Sequence, residues 1–257
     1  MIYQTFLHLP GVDQAQERRF WEAGVDSWWE FLRVLRFPGL SPRMLALLKG
    51  QIEEHLKHYD DLHYLAELFP ARHHWRLYPL LVNKAVFFDL ETNGLAKERS
   101  QITVLGIYNG SYRAYVAGED LEEGISLLAQ SPFVVTFGGT NFDLPFLKAK
   151  YPWFPTPKVH LDLCPLLRRL GLRGGLKRVE KLLGLNRPEE IDGLDGYQAV
   201  KLWRRYKRGE PKALELLIDY NREDVLNLPF LAKIAFYGLR YLTLTGQQPT
   251  LTVSTGA

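Results

Sequence analysis

The sequence predicts an α/β protein in which a mixed sheet flanked by helices follows a small all-α domain. In the first part of the chain, apolar residues such as Trp28, Phe31, Leu32 and Leu35 recur at the spacing of amphipathic helices. From Ala85, the segments AVFFDL, QITVLGIYN and SYRAYVAG are rich in β-branched and aromatic residues and are separated by turn sequences. Later strands alternate with helices, which indicates a mixed sheet.

The all-α domain is predicted over residues 1–70. Asp26 or Ser27 can cap its second helix, and Ser41 followed by Pro42 favours the start of the third. The predicted helices are Ala15–Ala23, Ser27–Leu35, Ser41–His58 and Asp61–Phe69.

Residues 71–84 are predicted to link the two domains. They include His73 and His74, which we expect at the surface because no pattern of further metal ligands follows them. The second domain is predicted over residues 85–242. The final residues, 243–257, lack periodicity and are predicted to form a loose tail.

In the second domain, a helix is predicted after the three strands, in DLEEGISLLAQ. A buried strand (FVVTF), a helix opening at FDLPFLKAKY and a short strand (KVHLDL) follow. The remaining predicted helices are Leu163–Leu170, Leu176–Leu183, Gly196–Arg208 and Pro211–Tyr237.

The composition, 46% hydrophobic and 24% charged, is ordinary for a soluble globular protein. The single cysteine, Cys164, cannot form an internal disulfide, which fits a reducing compartment. No basic segment followed by an apolar one opens the chain, and no apolar stretch approaches the roughly 20 residues of a membrane helix. We therefore expect a cytoplasmic protein without membrane contact.

The net charge is only +3, but the chain contains two strongly basic stretches. Six basic residues and one acid lie between Arg168 and Lys181, and the same numbers lie between Lys201 and Lys212. Beside an acidic site, such stretches favour a polyanionic substrate. Taken singly, either stretch is also typical of a solvated helix face.

An acid pair follows the first predicted strand. Asp89 and Glu91 are two positions apart, so their side chains lie on the same face of the strand. Neighbouring carboxylates repel each other unless a cation neutralises them, and Mg²⁺ or Mn²⁺ prefers oxygen ligands. The alternative is a strand that ends in an acidic turn.

Two further motifs carry acids. Asp143 follows a strand and two glycines in TFGGTNFDLPFL, although an acid in a first helical turn also complements the helix dipole. Tyr220 and Asp224 are four residues apart and share one face of a predicted helix. That helix could equally be amphipathic with an incidental tyrosine.

Together, these motifs resemble the DEDD-type exonucleases of the ribonuclease H-like superfamily, in the subgroup with a tyrosine, and are most similar to the YprB-like branch. The resemblance covers about Ala85 to Tyr241 and includes VHLDL, GGLKRVEKLLGLNR and IDGLDGYQAVKLWRRY. It implies a ribonuclease H-like fold for residues 85–242. The chain departs from the branch at Gly138-Gly139, where Asn-Gly is usual, and at Asn93, where threonine is commoner.

The resemblance implies a 3′–5′ exonuclease that removes nucleotides from a DNA or RNA 3′ end, with single-stranded DNA favoured. Asp89, Glu91, Asp143 and Asp224 would bind two divalent ions, Mg²⁺ or Mn²⁺, and Tyr220 would orient the attacking water. The expected nucleic-acid contacts are Thr92, Gly139, Asn141, Lys177, Arg178, Lys181, Arg204 and Arg205.

Several residues near these motifs have expected structural roles. Trp203 is expected in the core because it falls at helical spacing with Val200, and Asp162 is expected to support the site without binding metal. The segment LPGVDQAQERRFWEAGVDSWWEFL resembles a helix-hairpin-helix, which could contact a phosphate or serve packing alone.

Three alternative functions remain open from the sequence. The second domain could bind nucleic acid without cleaving it. It could be a phosphatase that uses Asp89 as a nucleophile, although Glu91 and the Tyr220–Asp224 helix do not suit that chemistry. An assembly role in a repair or processing complex is compatible with the exonuclease.

Overall fold

The computed structural model describes residues 1–251 of the 257-residue chain. The chain divides into two compact units. The first, here the N-terminal unit, contains residues 1–81 and 240–247, and the second, here the sheet unit, contains residues 82–239 and the described residues from 248 onward. Residues 252–257 of the predicted tail lie outside the described residues.

The N-terminal unit contains helices α1 to α5. All four predicted helices start directly after the residue whose side chain caps them: Asp13 accepts from Gln16 N–H, and Ser27, Ser41 and Asp61 cap the next three. The helices are α1 (Gln14–Glu22), α2 (Trp28–Arg33), α3 (Pro42–Leu56), α4 (Leu62–Leu68) and α5 (Tyr78–Leu81), with 3₁₀ helices at Ile2–Gln4 and Ala71–Leu77.

The segment predicted as a linker forms a 3₁₀ helix and α5 in this unit. His73 and His74 are buried, so their predicted surface position was wrong. The Nε2 of His74 lies 3.0 Å from the carbonyl oxygen of Ala66 and 2.9 Å from that of Phe69. The prediction missed this burial because it depends on tertiary packing of the segment rather than on its polar local sequence.

A buried ion pair lies in the same unit. The Arg76 guanidinium donates to both carboxylate oxygens of Glu17 at 3.0 Å, and both side chains are almost inaccessible to solvent. Thr5 Oγ1 and the Phe6 N–H also donate to Glu17. These bonds satisfy a charge that would otherwise be costly to bury.

The sheet unit contains five strands in the order β3-β2-β1-β4-β5. β1 pairs antiparallel with β2 and parallel with β4, while β2–β3 is antiparallel and β4–β5 is parallel. The predicted mixed sheet is therefore confirmed, with β1 at its centre. The strands are β1 (Val86–Thr92), β2 (Ile102–Tyr108), β3 (Tyr112–Val116), β4 (Phe133–Thr136) and β5 (Val159–Asp162).

Helices α6 to α11 and the first part of α12 belong to the sheet unit, and the end of α12 belongs to the N-terminal unit. The predicted helix Pro211–Tyr237 is in fact two helices that meet at Asn227. Pro229 explains the break, because it has no N–H to donate to the carbonyl group four residues earlier. The helices are α6 (Leu121–Ala129), α7 (Asp143–Lys150), α8 (Leu163–Arg169), α9 (Leu176–Leu182), α10 (Gly196–Tyr206), α11 (Pro211–Leu226) and α12 (Leu228–Thr245).

Hydrophobic clusters cover both faces of the sheet. Phe88 and Leu90 of β1 pack in one cluster with residues of α6 and α7. On the other face, Val104 of β2 packs with residues of α10 and α11, including Trp203, which is buried as predicted. Side chains alternate along a strand, so Asp89 and Glu91 lie on the face that α11 covers.

None of the helices in the part of the chain that the structure describes has the length and apolar character needed to span a membrane.

Candidate metal centre

Three carboxylates meet at the carboxyl end of β1. Asp89 and Glu91 on the strand and Asp224 on α11 each offer an oxygen, and these oxygens all lie within 4.8 Å of one another. Glu91 and Asp224 are buried, and Asp89 is partly buried. Three carboxylates at this spacing fit a hard divalent cation, which would offset their mutual repulsion.

Asp143 lies beside this group without joining it. It is the first residue of α7, it is buried, and one of its oxygens accepts from the Leu90 N–H at 3.1 Å. Because Leu90 stands between Asp89 and Glu91 on β1, this bond fixes the start of α7 against the acid-bearing part of the strand.

Asn221 joins β1 to α11. Its side-chain amide donates to the Asp89 carboxylate at 3.0 Å, and the Tyr112 hydroxyl donates to its carbonyl oxygen at 3.0 Å. Gly106 pairs with Asp89 across β1–β2, and a Cβ at that position would lie 1.9 Å from Asn221 Oδ1. The glycine therefore gives α11 room to approach the sheet.

Arg187 holds Asp224 in place. Its guanidinium donates to both oxygens of Glu180, at 2.7 and 2.8 Å, and also to a carboxylate oxygen of Asp224. Asn227 donates to Glu180 at 2.9 Å. The side chains of Glu180 and Arg187 are only 1% and 3% exposed, so they form a rigid, buried support for Asp224.

Sequence reasoning missed Asn221, Arg187 and Glu180. Asn221 has a local signal, because it directly follows Tyr220 and precedes Asp224 by three residues on one helix. Arg187 lies in the loop after α9, and nothing in its local sequence indicates contact with a carboxylate 37 residues away.

Tyr220 occupies the same helix as Asp224, one turn earlier. It is buried in the cluster that covers the α11 face of the sheet. The ammonium of Lys177 lies 4.3 Å from the centre of its ring, a cation–π contact. The predicted contact residue Lys177 therefore lies next to the predicted catalytic tyrosine.

The other predicted nucleic-acid contacts are dispersed. Arg178 and Arg204 are exposed, Lys181 lies 3.5 Å from Asp192, and Arg205 pairs with Glu210 at 2.8 Å. Thr92 is buried and donates to the carbonyl oxygen of Gly94, whereas Asn141 is exposed.

The two-glycine segment after β4 is held by Asp162. The N–H groups of Gly138 and Thr140 donate to the two oxygens of this carboxylate, at 2.7 and 3.0 Å. A Cβ at Gly139 would lie 2.2 Å from Thr136 Oγ1, so the buried turn requires glycine there. Asp162 thus organises the chain that leads into α7, as expected of a supporting residue.

A family model of the RNase H superfamily matches residues 86–236 of this chain. The chain belongs to the RNase H superfamily. This RNase H superfamily domain contains all five strands and the three clustered carboxylates. No curated protein matches the chain.

Several solved structures are similar to the RNase H superfamily domain at low identity. One, described as the apo form of a nuclease, is 20% identical over 63% of this chain and 76% of that one, with a TM-score of 0.47. NrnC of Brucella melitensis with bound Mg²⁺ is 22% identical over 64% and 78%, with a TM-score of 0.45. The same protein bound to pGG is 23% identical over 64% and 78%, with a TM-score of 0.46.

The carboxylates of this RNase H superfamily domain are electrostatically strained. Burial and then the charges of Asp143 and Asp224 raise the pKa of Asp89 well above its usual range, and burial and then Asp224 do the same for Glu91. Burial raises the pKa of Asp143 to about 7. Without a cation, the site must therefore hold protons near neutral pH.

Asp224 and Tyr220 respond to the same environment. Burial raises the pKa of Asp224, and Arg187 opposes that rise. Burial and the nearby Asp224 charge raise the pKa of Tyr220 above its usual range. The Tyr220 hydroxyl therefore stays protonated at neutral pH and can act as a hydrogen-bond donor rather than as a base.

Proposed function

We propose that the protein is a metal-dependent 3′–5′ exonuclease that hydrolyses phosphodiester bonds of nucleic acid, with single-stranded DNA favoured and RNA as an alternative substrate. The observation that carries the proposal is the convergence of Asp89, Glu91 and Asp224 within 4.8 Å at the end of the central strand. The 3′–5′ direction rests on the resemblance of the three acidic motifs to those of the DEDD-type exonucleases.

Each side chain has an assigned role. Asp89 would hold both divalent ions, Glu91 and Asp224 would complete the site of one, and Asp143 would support the other. When bound, Mg²⁺ or Mn²⁺ would prepare a water nucleophile and stabilise the departing 3′ oxygen. The Tyr220 hydroxyl would donate a hydrogen bond that orients the water, because its raised pKa keeps it protonated at neutral pH and so unable to accept the proton.

The supporting residues set the geometry of this reaction. Asn221 holds one oxygen of Asp89, and Arg187 holds one oxygen of Asp224. Each of these bonds fixes the orientation of its carboxylate, and the second oxygen is thereby held in position for a cation. Such preorganisation lowers the cost of assembling the charged site around its ligand.

The decisive experiment uses short single strands of DNA and RNA labelled at either end, with and without Mn²⁺ or Mg²⁺. The wild type should release mononucleotides progressively from the 3′ end only when metal is present, and Asp89→Ala should abolish the release. Asp219→Asn is the matched control, because Asp219 is exposed on the same helix as Asp224. Retained cleavage in Asp89→Ala would refute the proposal.

Three further measurements separate the alternatives. Metal-dependent binding without cleavage by the wild type would indicate a nucleic-acid-binding module. Trapping of a phosphorylated Asp89 would indicate a phosphatase. Copurification of the wild type with repair or processing proteins would address an assembly role.

A further inference from the structure

A cavity lined by cations lies between the β1–β2 loop and the end of α10. Its volume is about 480 Å³, and it opens to solvent. The loop contributes Arg99, and α10 with the following turn contributes Arg204, Lys207 and Arg208. The remaining lining residues are Asn93, Ser100 and Trp203, so the lining contains four basic residues and no acid.

The four basic side chains are exposed and available to a ligand. None of Arg99, Arg204 and Arg208 forms an ion pair with any residue in the range 1–251. The adjacent acid, Glu210, is already bound by Arg205 at 2.8 Å. A concave surface with charges of one sign concentrates field lines and attracts a counter-ion.

The walls of the cavity are held in place. In the loop, Asn93 N–H donates to the Gln101 carbonyl at 3.1 Å, and Gln101 N–H donates to Asn93 Oδ1 at 2.8 Å. On the helix, Trp203 is buried in the same cluster as Tyr220. The basic side chains therefore project from a fixed backbone, which reduces the entropy lost when an anion binds.

The cavity also lies close to the metal centre along the chain. Asn93 follows Glu91 by two residues, a distance of about 7 Å in extended chain at roughly 3.3 Å per residue. A strand whose scissile bond reaches the carboxylates could therefore place a neighbouring phosphate in the cavity.

We propose that Arg99, Arg204, Lys207 and Arg208 form a phosphate-binding cavity that holds the sugar–phosphate backbone of the substrate strand beside the metal centre. The proposal rests on the nuclease function proposed above and identifies the residues that bind the nucleic-acid strand. It assigns three residues that are not among the nucleic-acid contacts expected from the sequence, Arg99, Lys207 and Arg208. Arg205, also expected as a contact, does not line the cavity and pairs with Glu210 at 2.8 Å.

The test measures binding separately from cleavage. The fluorescence anisotropy of a labelled single strand of about 12 nucleotides is titrated in EDTA at about 50 to 200 mM KCl. The double variant Arg99→Glu/Arg208→Glu is compared with Lys84→Glu/Lys233→Glu, which has the same charge change at exposed positions outside the cavity. Thermal melting of each variant checks that the fold is retained.

The cavity variant should bind the strand about tenfold or more weakly than the control. The slope of log K against log salt should fall by about 0.7 for each phosphate that the protein no longer neutralises. Arg204→Gln, which removes one charge with little change in bulk, should show a smaller reduction in affinity. Inorganic phosphate and a mononucleotide should compete only weakly, because the proposed ligand is a polymer backbone.

Equal affinities and equal salt slopes for the cavity and control variants would overturn the proposal. Displacement of the strand by inorganic phosphate at concentrations near the strand's own Kd would also overturn it, in favour of a small anion. If the wild type cleaves but the cavity variant matches the control, only the cavity proposal fails. If binding depends on the cavity but the wild type does not cleave, only the proposed nuclease activity fails.

Discussion

The Arg187 guanidinium binds the Asp224 carboxylate, although the two residues are 37 positions apart. Glu180 holds the guanidinium through two further bonds, so a buried network fixes a carboxylate of the candidate metal centre. A positive side chain at this position balances part of the negative charge of the three clustered acids.

Removing Arg187 should cost both stability and metal affinity. Arg187→Gln leaves Glu180 buried without its counter-charge, so the free energy of unfolding should fall by about 3 kcal/mol in urea denaturation. Mn²⁺ should also bind more weakly by calorimetry, because Asp224 loses its fixed orientation. The control is Arg205→Gln at an exposed pair, which should cost less than about 1 kcal/mol. Equal losses in the two variants would contradict the role of the network.

Divalent metal should stabilise the wild type. At about 100 times Kd, Mn²⁺ should raise the Tm by about 5–10 °C, because the ion binds the folded carboxylates and relieves their repulsion. Asp89→Asn should abolish the Mn²⁺ shift, because it removes an anionic oxygen ligand. A variant that kept the whole shift would show that Asp89 does not hold the ion.

The metal-free protein should lose stability as the pH rises. The folded pKa of Asp143 is about 7 against an ordinary value of 3.8, and the pKa values of Asp89 and Glu91 are raised as well. The folded state thus binds more protons than the unfolded state. The stability that these protons contribute is lost as the pH rises from about 4 through 7. Urea midpoints measured across this range should fall without metal, and saturating Mn²⁺ should reduce the fall.

Tyr220→Phe should slow hydrolysis by about 10²-fold while leaving Mn²⁺ binding within about twofold of the wild type. The ring remains, so the packing of α11 and the cation–π interaction with Lys177 are kept, and only the hydrogen-bond donor is removed. Single-turnover kinetics and calorimetry on the same preparation separate the two effects. Full activity in this variant would show that the hydroxyl does not orient the water.

Gly106→Ala should disrupt the site through packing alone. The new methyl group would lie 1.9 Å from Asn221 Oδ1 and 3.0 Å from Val225 Cγ2, so the Asn221 side chain or α11 itself must shift away from β2. The expected loss is about 1–3 kcal/mol of unfolding free energy, together with weaker metal binding. Gly50→Ala, at an open position within α3, should instead be neutral or slightly stabilising. Similar stability in the two variants would count against a tight approach at Gly106.

The parts of the fold and site that depend on local periodicity could be predicted from the sequence. Alternation along β1 places Asp89 and Glu91 on one face, and helical spacing does the same for Tyr220 and Asp224. The bonds from Arg187 and Asn221 could not be predicted, because they depend on how a loop and a helix pack against β1. The burial of His73 and His74 depends likewise on tertiary packing.

The N-terminal unit is discontinuous in the sequence, because it takes residues 240–247 in addition to residues 1–81. A truncation after Leu239 would keep every residue of the superfamily match and still remove part of this unit. A cut near residue 70 would separate Arg76 from Glu17 and leave a carboxylate without its counter-charge in an apolar interior. The N-terminal unit can therefore not be isolated intact by a single cleavage of the chain.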